Sequence, residues 1–215
     1  NYGVSITQDF QFLNKNTSIT LDFYRTDFQN QIVVDLDQSA RTVNFYNLDG
    51  KSFANSFQAE LSYNIIKHLN LRAAYKYYDI KTTYNGKDLE RPLQAKHRLF
   101  ANLEFMTHEN NGSYWKFDAT WNWLGKQRLP YTGDNSQENQ LPSYAGSFST
   151  INAQVTKVFS DNFEVYVGGE NIGNYRQHHV ILGADDPFGN EFDSTIVYGP
   201  IFGQMYYAGL RFKIK

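Results

Sequence analysis

The chain has 215 residues, a formal net charge of −2 and no cysteine. These values exclude disulfides, thiol chemistry and cysteine-held metals, and they give no overall basic pull toward nucleic acid. No run of about 18 apolar residues occurs, which excludes a membrane-spanning helix but not a membrane barrel, because barrel strands are apolar only at alternate positions. Aromatics make up 17% of the sequence, with 16 Tyr and 17 Phe, an enrichment that suits the two interfacial girdles of such a barrel.

Period-2 alternation dominates from the first residues. Val4, Ile6, Phe10 and Phe12 share one face of a first segment, with Ser5, Thr7, Asp9 and Gln11 opposite. After the turn NKNT, Ile19, Leu21 and Phe23 alternate with Ser18, Thr20 and Asp22, and the extended stretch is expected to continue towards Val34. A polar segment, DLDQSARTVNFYNLDGK, separates it from a third strand with Phe53, Phe57, Ala59, Leu61, Tyr63 and Ile65 on one side. KHLN turns the chain into Leu71, Ala73, Tyr75 and Tyr77. A fifth strand carries Leu99, Ala101, Leu103 and Phe105. YWKFDATWNWL sets Trp115, Phe117, Ala119, Trp121 and Trp123 against Lys116, Asp118, Thr120 and Asn122. Ile151, Ala153 and Val155 follow, then Phe163, Val165 and Val167. The last strand has Tyr206, Ala208, Leu210, Phe212 and Ile214 on its apolar side.

The pattern makes about nine strands, and their connections alternate without exception. NKNT, KHLN, THENNGS and SDN are short, whereas the connections around 36–51, 82–92, 125–146 and 174–200 are long. Short turns at one end and long loops at the other are the habit of an outer-membrane barrel. Glu60, Arg72, Arg98, Glu104, Lys116, Asp118 and Arg211 all lie opposite the apolar stripe. A cation on a lipid face near the midplane would cost about 2–4 kcal/mol, and facing water it costs little. The competing arrangement is a soluble antiparallel sandwich with one wet face, binding carbohydrate through exposed aromatics. A small outer-membrane barrel enzyme is a third arrangement. The fold class read here is therefore all-β, an antiparallel transmembrane barrel. Single-chain bacterial barrels use even strand counts, so nine strands look like part of a larger one.

KSFANSFQAELSYNIIKHLNLRAAYKYYD, AKHRLFANLEF, FEVYVGGENIGNY and YGPIFGQMYYAGLRFKIK resemble the last strands of TonB-dependent outer-membrane receptors, with the flavour of Bacteroidota members. The resemblance covers essentially the whole of residues 1–215, but only the carboxyl-terminal barrel part of such a receptor. It implies a 22-stranded barrel, of which these would be the fourteenth to twenty-second strands. It also implies an amino-terminal plug domain, upstream barrel strands, TonB as the energising partner, a membrane environment of lipid and lipopolysaccharide, and in some members a surface lipoprotein. The cargo would be a scarce nutrient such as a siderophore, haem, a metal complex, cobalamin or a glycan. The plug and TonB box are not in this sequence, and it ends on Lys215 where many outer-membrane proteins end on an aromatic residue.

Catalytic patterns are missing: there is no G-x-S-x-G, H-E-x-x-H or P-loop. No catalytic residue, resident metal or cofactor is expected. His68, His97 and His108 sit in or beside turns, where solvated or interfacial roles are expected. His178 and His179 share a long loop with Asp185, Asp186, Glu191 and Asp193, the one stretch rich in metal-ligand types. Tyr131, Tyr144, Phe188 and Phe192 are loop aromatics. Candidate ligand contacts are thus His178, His179, Asp185, Asp186 and Tyr131, weighed against a plain hydrophilic outer loop.

Overall fold

The computed structural model describes residues 1–214; the unusual Lys215 terminus lies outside them. Among these residues there is no α-helix. The strands are β1 (Tyr2–Phe12), β2 (Lys15–Phe28), β3 (Ile32–Asp35), β4 (Asn44–Asn47), β5 (Ser52–Ile66), β6 (Leu69–Tyr84), β7 (Lys87–Glu90), β8 (His97–Met106), β9 (Tyr114–Leu124), β10 (Gln127–Arg128), β11 (Tyr144–Ala145), β12 (Phe148–Ser160), β13 (Phe163–Glu170) and β14 (Met205–Phe212). A single antiparallel sheet runs β1-β2-β5-β6-β8-β9-β12-β13-β14, with β7 folded back on β6. Each strand on this path pairs with its neighbour in sequence, as in an up-and-down wall.

Turn chemistry sets the short end. Leu13 and Asn14 both have positive φ, at 50° and 59°, the conformation of a type I′ hairpin turn whose twist matches the strands. Asn111 and Gly112 repeat that geometry between β8 and β9. The other short turns are 67–68 and 161–162. At the opposite end the connections are 29–51, 85–96, 125–147 and 171–204, called loops 1 to 4 below. The expected alternation of short and long therefore holds throughout.

Two local expectations are corrected. The second strand does not run on to Val34. β2 stops at Phe28, and β3 pairs with β4 as a separate hairpin inside the stretch read as polar loop. The hairpin forms because Val33 and Asp35 turn inward and are almost wholly buried, at 1% exposure each. The sequence reading also leaves Ile66 out of the apolar row. A bulge between Asn64 and Ile66 puts Ile66 opposite Leu69, so Ile66 continues the apolar face beside the turn.

Register places every predicted apolar stripe on one face. Leu21, Ala59 and Tyr75 stand side by side, as do Leu103, Ala119 and Ala153. That face is the exposed one: Ile6 is 58% exposed, Val167 55% and Leu210 68%. The buried hydrophobic residues lie mostly at the long-loop end, where Leu129, Ala145, Leu182 and Ile196 form a cluster with Leu93, Leu141 and Tyr198 packed on it. In a soluble sandwich the apolar stripes would instead be the core.

The polar face is concave. A trough of about 940 Å³ opens on it, crossing six strands from Asp9 and Gln11 through Ser62, Arg72 and Glu104 to Asp118. Of the seven charges assigned to the polar side, Arg72, Glu104 and Asp118 line the trough, and Arg211 bonds Glu164 elsewhere on the same face, across β13–β14. On the same hairpin, glycines admit close approach by tyrosines. A Cβ at Gly168 would meet the Tyr207 ring at 2.4 Å, and one at Gly209 would meet the Tyr166 ring at 2.4 Å. The phenols thus lie flat against the wall, and Tyr207 donates to Gln154 at 3.0 Å.

Substitution tests the facing directly. Ala119→Arg puts a cation at the middle of the apolar face and should destabilise the folded barrel by about 2–4 kcal/mol. Its neighbour Thr120→Arg, on the polar face, should be tolerated. Heat-modifiable migration of the protein from isolated outer membranes reads the difference.

Candidate functional site

The exposed apolar face has a limited height. On β6 it runs from Leu69 to Tyr77 and then turns polar at Asp79 and Lys81. At about 3.3 Å per residue this is roughly 26 Å of strand, and a tilt of about 40° reduces it to about 20 Å, near the roughly 25 Å apolar band of outer-membrane barrels. Above the band the same face carries a polar collar. Arg25 pairs with Asp27 at 2.7 Å, bonds Asn55 at 3.1 Å and lies over the Phe53 ring at 4.8 Å. Asn55 reaches Asp79, which Lys81 approaches at 3.9 Å. Near the short-turn end, Phe105 stacks on Phe117, and Phe159 stacks on Phe163. Lys157, a cation on the apolar face, lies 5.0 Å over the Trp115 ring and 5.9 Å from Phe159, so its charge sits in the aromatic belt rather than in mid-band. His97 is interfacial as expected: Tyr75 and its Nδ1 share a 2.8 Å hydrogen bond, and the ring packs on Tyr77.

The four long loops bind one another. Asp134 of loop 3 accepts from the Ser39 hydroxyl at 2.6 Å and the Ala40 N–H at 3.0 Å of loop 1. Glu191 of loop 4 accepts from Ser136 N–H and hydroxyl and from Asn139, all in loop 3. Arg41 stands between these carboxylates at 3.8 Å from each. Exposed pairs at this distance contribute little in water, so the direct hydrogen bonds carry the tie. Deeper in, the Arg128 guanidinium bonds Asp37 at 2.6 Å, donates to the Glu90 carbonyl and lies over Tyr84 at 5.6 Å. Asp35 completes the base of loop 1. Burial pushes its carboxyl up, but hydrogen bonds from Gln38, the Asp37 N–H and Tyr46 more than offset that and hold it below the usual range.

A cleft of about 370 Å³ opens between loops 1, 3 and 4, lined by Arg41, Val43, Tyr131, Asn190, Phe192 and Asp193 among others. Of the candidate residues read from sequence, Tyr131 lines this cleft. His178, His179, Asp185 and Asp186 are exposed elsewhere on loop 4. His178 offers its carbonyl to Tyr198, and His179 has φ 53°. The stretch rich in ligand types is not drawn together: among the described residues no three His, Asp or Glu groups are placed to share a metal. Glu191 is committed to loop 3, and Asp193 accepts from Thr195. Tyr144 reaches Glu90, and Phe188 is fully exposed. Sequence reading missed Arg41, Asp134 and Arg128, since nothing local marks a contact that three separate loops make.

An inverted sheet, apolar outside and polar within a trough, agrees with comparison to known proteins. A sequence-family profile described as TonB dependent receptor-like, beta-barrel matches residues 1–172. The chain belongs to that family. Barrels of this family reside in the outer membrane of Gram-negative bacteria, and so the exposed apolar face is the lipid face and the trough faces the lumen. No curated protein sequence matches the chain. Among solved structures, the ferric-catecholate import receptor Fiu of E. coli aligns with 97% of this chain at 14% identity and a TM-score of 0.61. The ferric enterobactin receptor of Pseudomonas aeruginosa, in complex with enterobactin, aligns with 98% at 15% identity and 0.67, and the copper transporter OprC with 98% at 11% and 0.64. The chain spans 27% of Fiu, 31% of the enterobactin receptor and 30% of OprC. These relatives are transport receptors rather than enzymes.

The loop ties have a defined pH response. The Ser39 hydroxyl holds Asp134 below the ordinary carboxylate range, and Ser136 does the same for Glu191. Depressed values contribute stability above the free-chain pKa, about 4, and lose it as pH falls through the folded values. Limited proteolysis of loops 1, 3 and 4 should be flat from pH 8 to pH 5 and accelerate only below about pH 4. Arg128→Ala strands the half-buried Asp37 carboxylate. It should weaken the loop cap by about 3–5 kcal/mol, raising proteolysis at pH 7 while the barrel band on a gel stays folded.

Proposed function

We propose that residues 1–215 form the carboxyl-terminal wall and four outer loops of a TonB-dependent receptor for active uptake of a scarce nutrient. The observation that carries this is coverage: nearly all of this chain aligns with receptors of which it spans under a third. β1 and β14, the two ends of the sheet, each have one paired edge among the described residues. In the full receptor, upstream strands complete a 22-stranded barrel, these nine being the fourteenth to twenty-second. An amino-terminal plug occupies the trough, TonB drives the plug, and a surface lipoprotein is a further candidate partner. The strand sequences favour a Bacteroidota host.

The chain itself supplies position and recognition, not bond-making chemistry. Long loops sit above the lumen, and the cleft combines Arg41, shared with Asp134 and Glu191, and the Asp193 carboxylate with the apolar rings of Tyr131 and Phe192. That set suits a bulky ligand with flat apolar and polar parts, as a metal chelate or haem has. Siderophore import and copper transport, named for the solved relatives, fall within the same range of cargo. His178, His179, Asp185 and Asp186, exposed elsewhere on loop 4, are further candidate contacts for such a ligand.

Growth under metal limitation is the test. Deleting the gene should abolish growth on one cargo from a panel of ferric siderophores, haem, cobalamin, copper and glycans, and loss of TonB should give the same phenotype. Tyr131→Ala should raise the concentration needed for half-maximal uptake about tenfold, with surface expression unchanged. Uptake that is independent of TonB across the whole panel would sink the reading.

A further inference from the structure

One surface is left unexplained by either lipid or lumen. The β3–β4 hairpin of loop 1 pairs Ile32 with Asn47 and Val34 with Phe45, so these residues share a face. Ile32 is 65% exposed, Val34 46% and Phe45 68%. The face carries no charge. Its position is fixed from the other side. Val33 and Asp35 are buried, Tyr46 bonds Asp35 at 2.8 Å and accepts from the Asn85 N–H of loop 2 at 3.0 Å, and Tyr131 N–H of loop 3 donates to the Leu36 carbonyl at 3.3 Å. A mobile loop could fold such side chains away. This hairpin is bolted inward and so holds them out, well above the polar collar that ends the apolar band.

We propose that this face docks the outer loops of the receptor segment that precedes β1. The inference rests on the receptor reading above. Loops 2, 3 and 4 rise from strands on one side of the hairpin, and loops 2 and 3 already hold it through Tyr46 and Leu36. Loop 1 joins β2 to β5 and is the long loop nearest the β1 edge. The relatives extend to about three times the length covered here, so the surface facing that edge is where further loops must rise. An uncharged β-branched and aromatic face selects an apolar contact: the docking loops present aliphatic or aromatic side chains, and burying the patch against them stabilises the cap.

The full-length receptor tests this. Phe45→Cys and, separately, Val34→Cys are introduced into a receptor whose residues 1–215 hold no cysteine, any upstream cysteine being replaced. Labelling by a membrane-impermeant maleimide is compared with the same variant denatured, after heat-modifiable migration confirms folding. At least one variant is expected to fold and to label at least tenfold more slowly in the purified, detergent-solubilised receptor than when denatured. Labelling as fast as in the denatured form overturns the inference. So does protection seen only in intact cells (a surface partner), only in lipopolysaccharide-containing bilayers (lipid), or only at high receptor concentration (a second copy). The mass of the native product, measured alongside, separates the two claims. A product of about this chain's length defeats the receptor reading, whereas a full-length product with fast labelling defeats only the docking surface.

Discussion

Backbone hydrogen bonding in hydrocarbon is the constraint on which the rest depends. Every N–H and C=O in lipid must be satisfied internally, so the described residues, which hold no helix long and apolar enough to cross a membrane, must cross as paired strands. The ladder from β1 to β14 does this strand by strand, each paired with its neighbour in sequence. Once that ladder forms, side chains must sort by face. The outward set meets lipid and is aliphatic or aromatic, and the inward set meets water and carries Glu60, Arg72, Glu104, Asp118 and their neighbours. Small residues such as Ala73, Ala101 and Ala119 suffice on the outward face because lipid, unlike a second sheet, does not require interlocking shapes.

The two ends of the wall are built by different physics. At the short end, type I′ turns and flanking aromatic rings close hairpins with almost no chain, and Lys157 is held within the belt. At the long end the chain leaves the lipid and has to find a core of its own. It does so with Leu129, Ala145, Leu182 and Ile196, and with carboxylates that accept from neighbouring loops. The long-loop end is therefore a small folded cap carried on the wall, and its cohesion comes from Asp134, Glu191 and Arg128 rather than from the strands.

Much of this was legible in the sequence, and the reasons are specific. Period-2 alternation survives because each strand sees lipid on one side and water on the other along most of its length, so nine strands and both faces could be read residue by residue. Where that rule lapsed, the reading slipped. Ile66 was missed as a member of the apolar row because a bulge shifts register without changing composition. Val34 was joined to β2 because β3 keeps the same alternation after a bend. The candidate site was less legible: Tyr131 was found as a loop aromatic, but Arg41 was not, since its partners Asp134 and Glu191 lie in two distant loops of the sequence. Proximity of His178, His179, Asp185 and Asp186 along the chain did not translate into a shared coordination sphere.

Sequence by itself determined the architecture of the wall: strand number, the facing of each side chain, the short and long ends, and the absence of charge from the middle of the lipid face. These follow from local rules that repeat every two residues. Tertiary structure alone decided how the four loops meet, which carboxylate ties which loop, where the cleft opens, and that the β3–β4 hairpin turns an apolar face outward. Those are contacts between segments far apart in the chain, set by packing and mutual hydrogen bonding, and no periodicity encodes them.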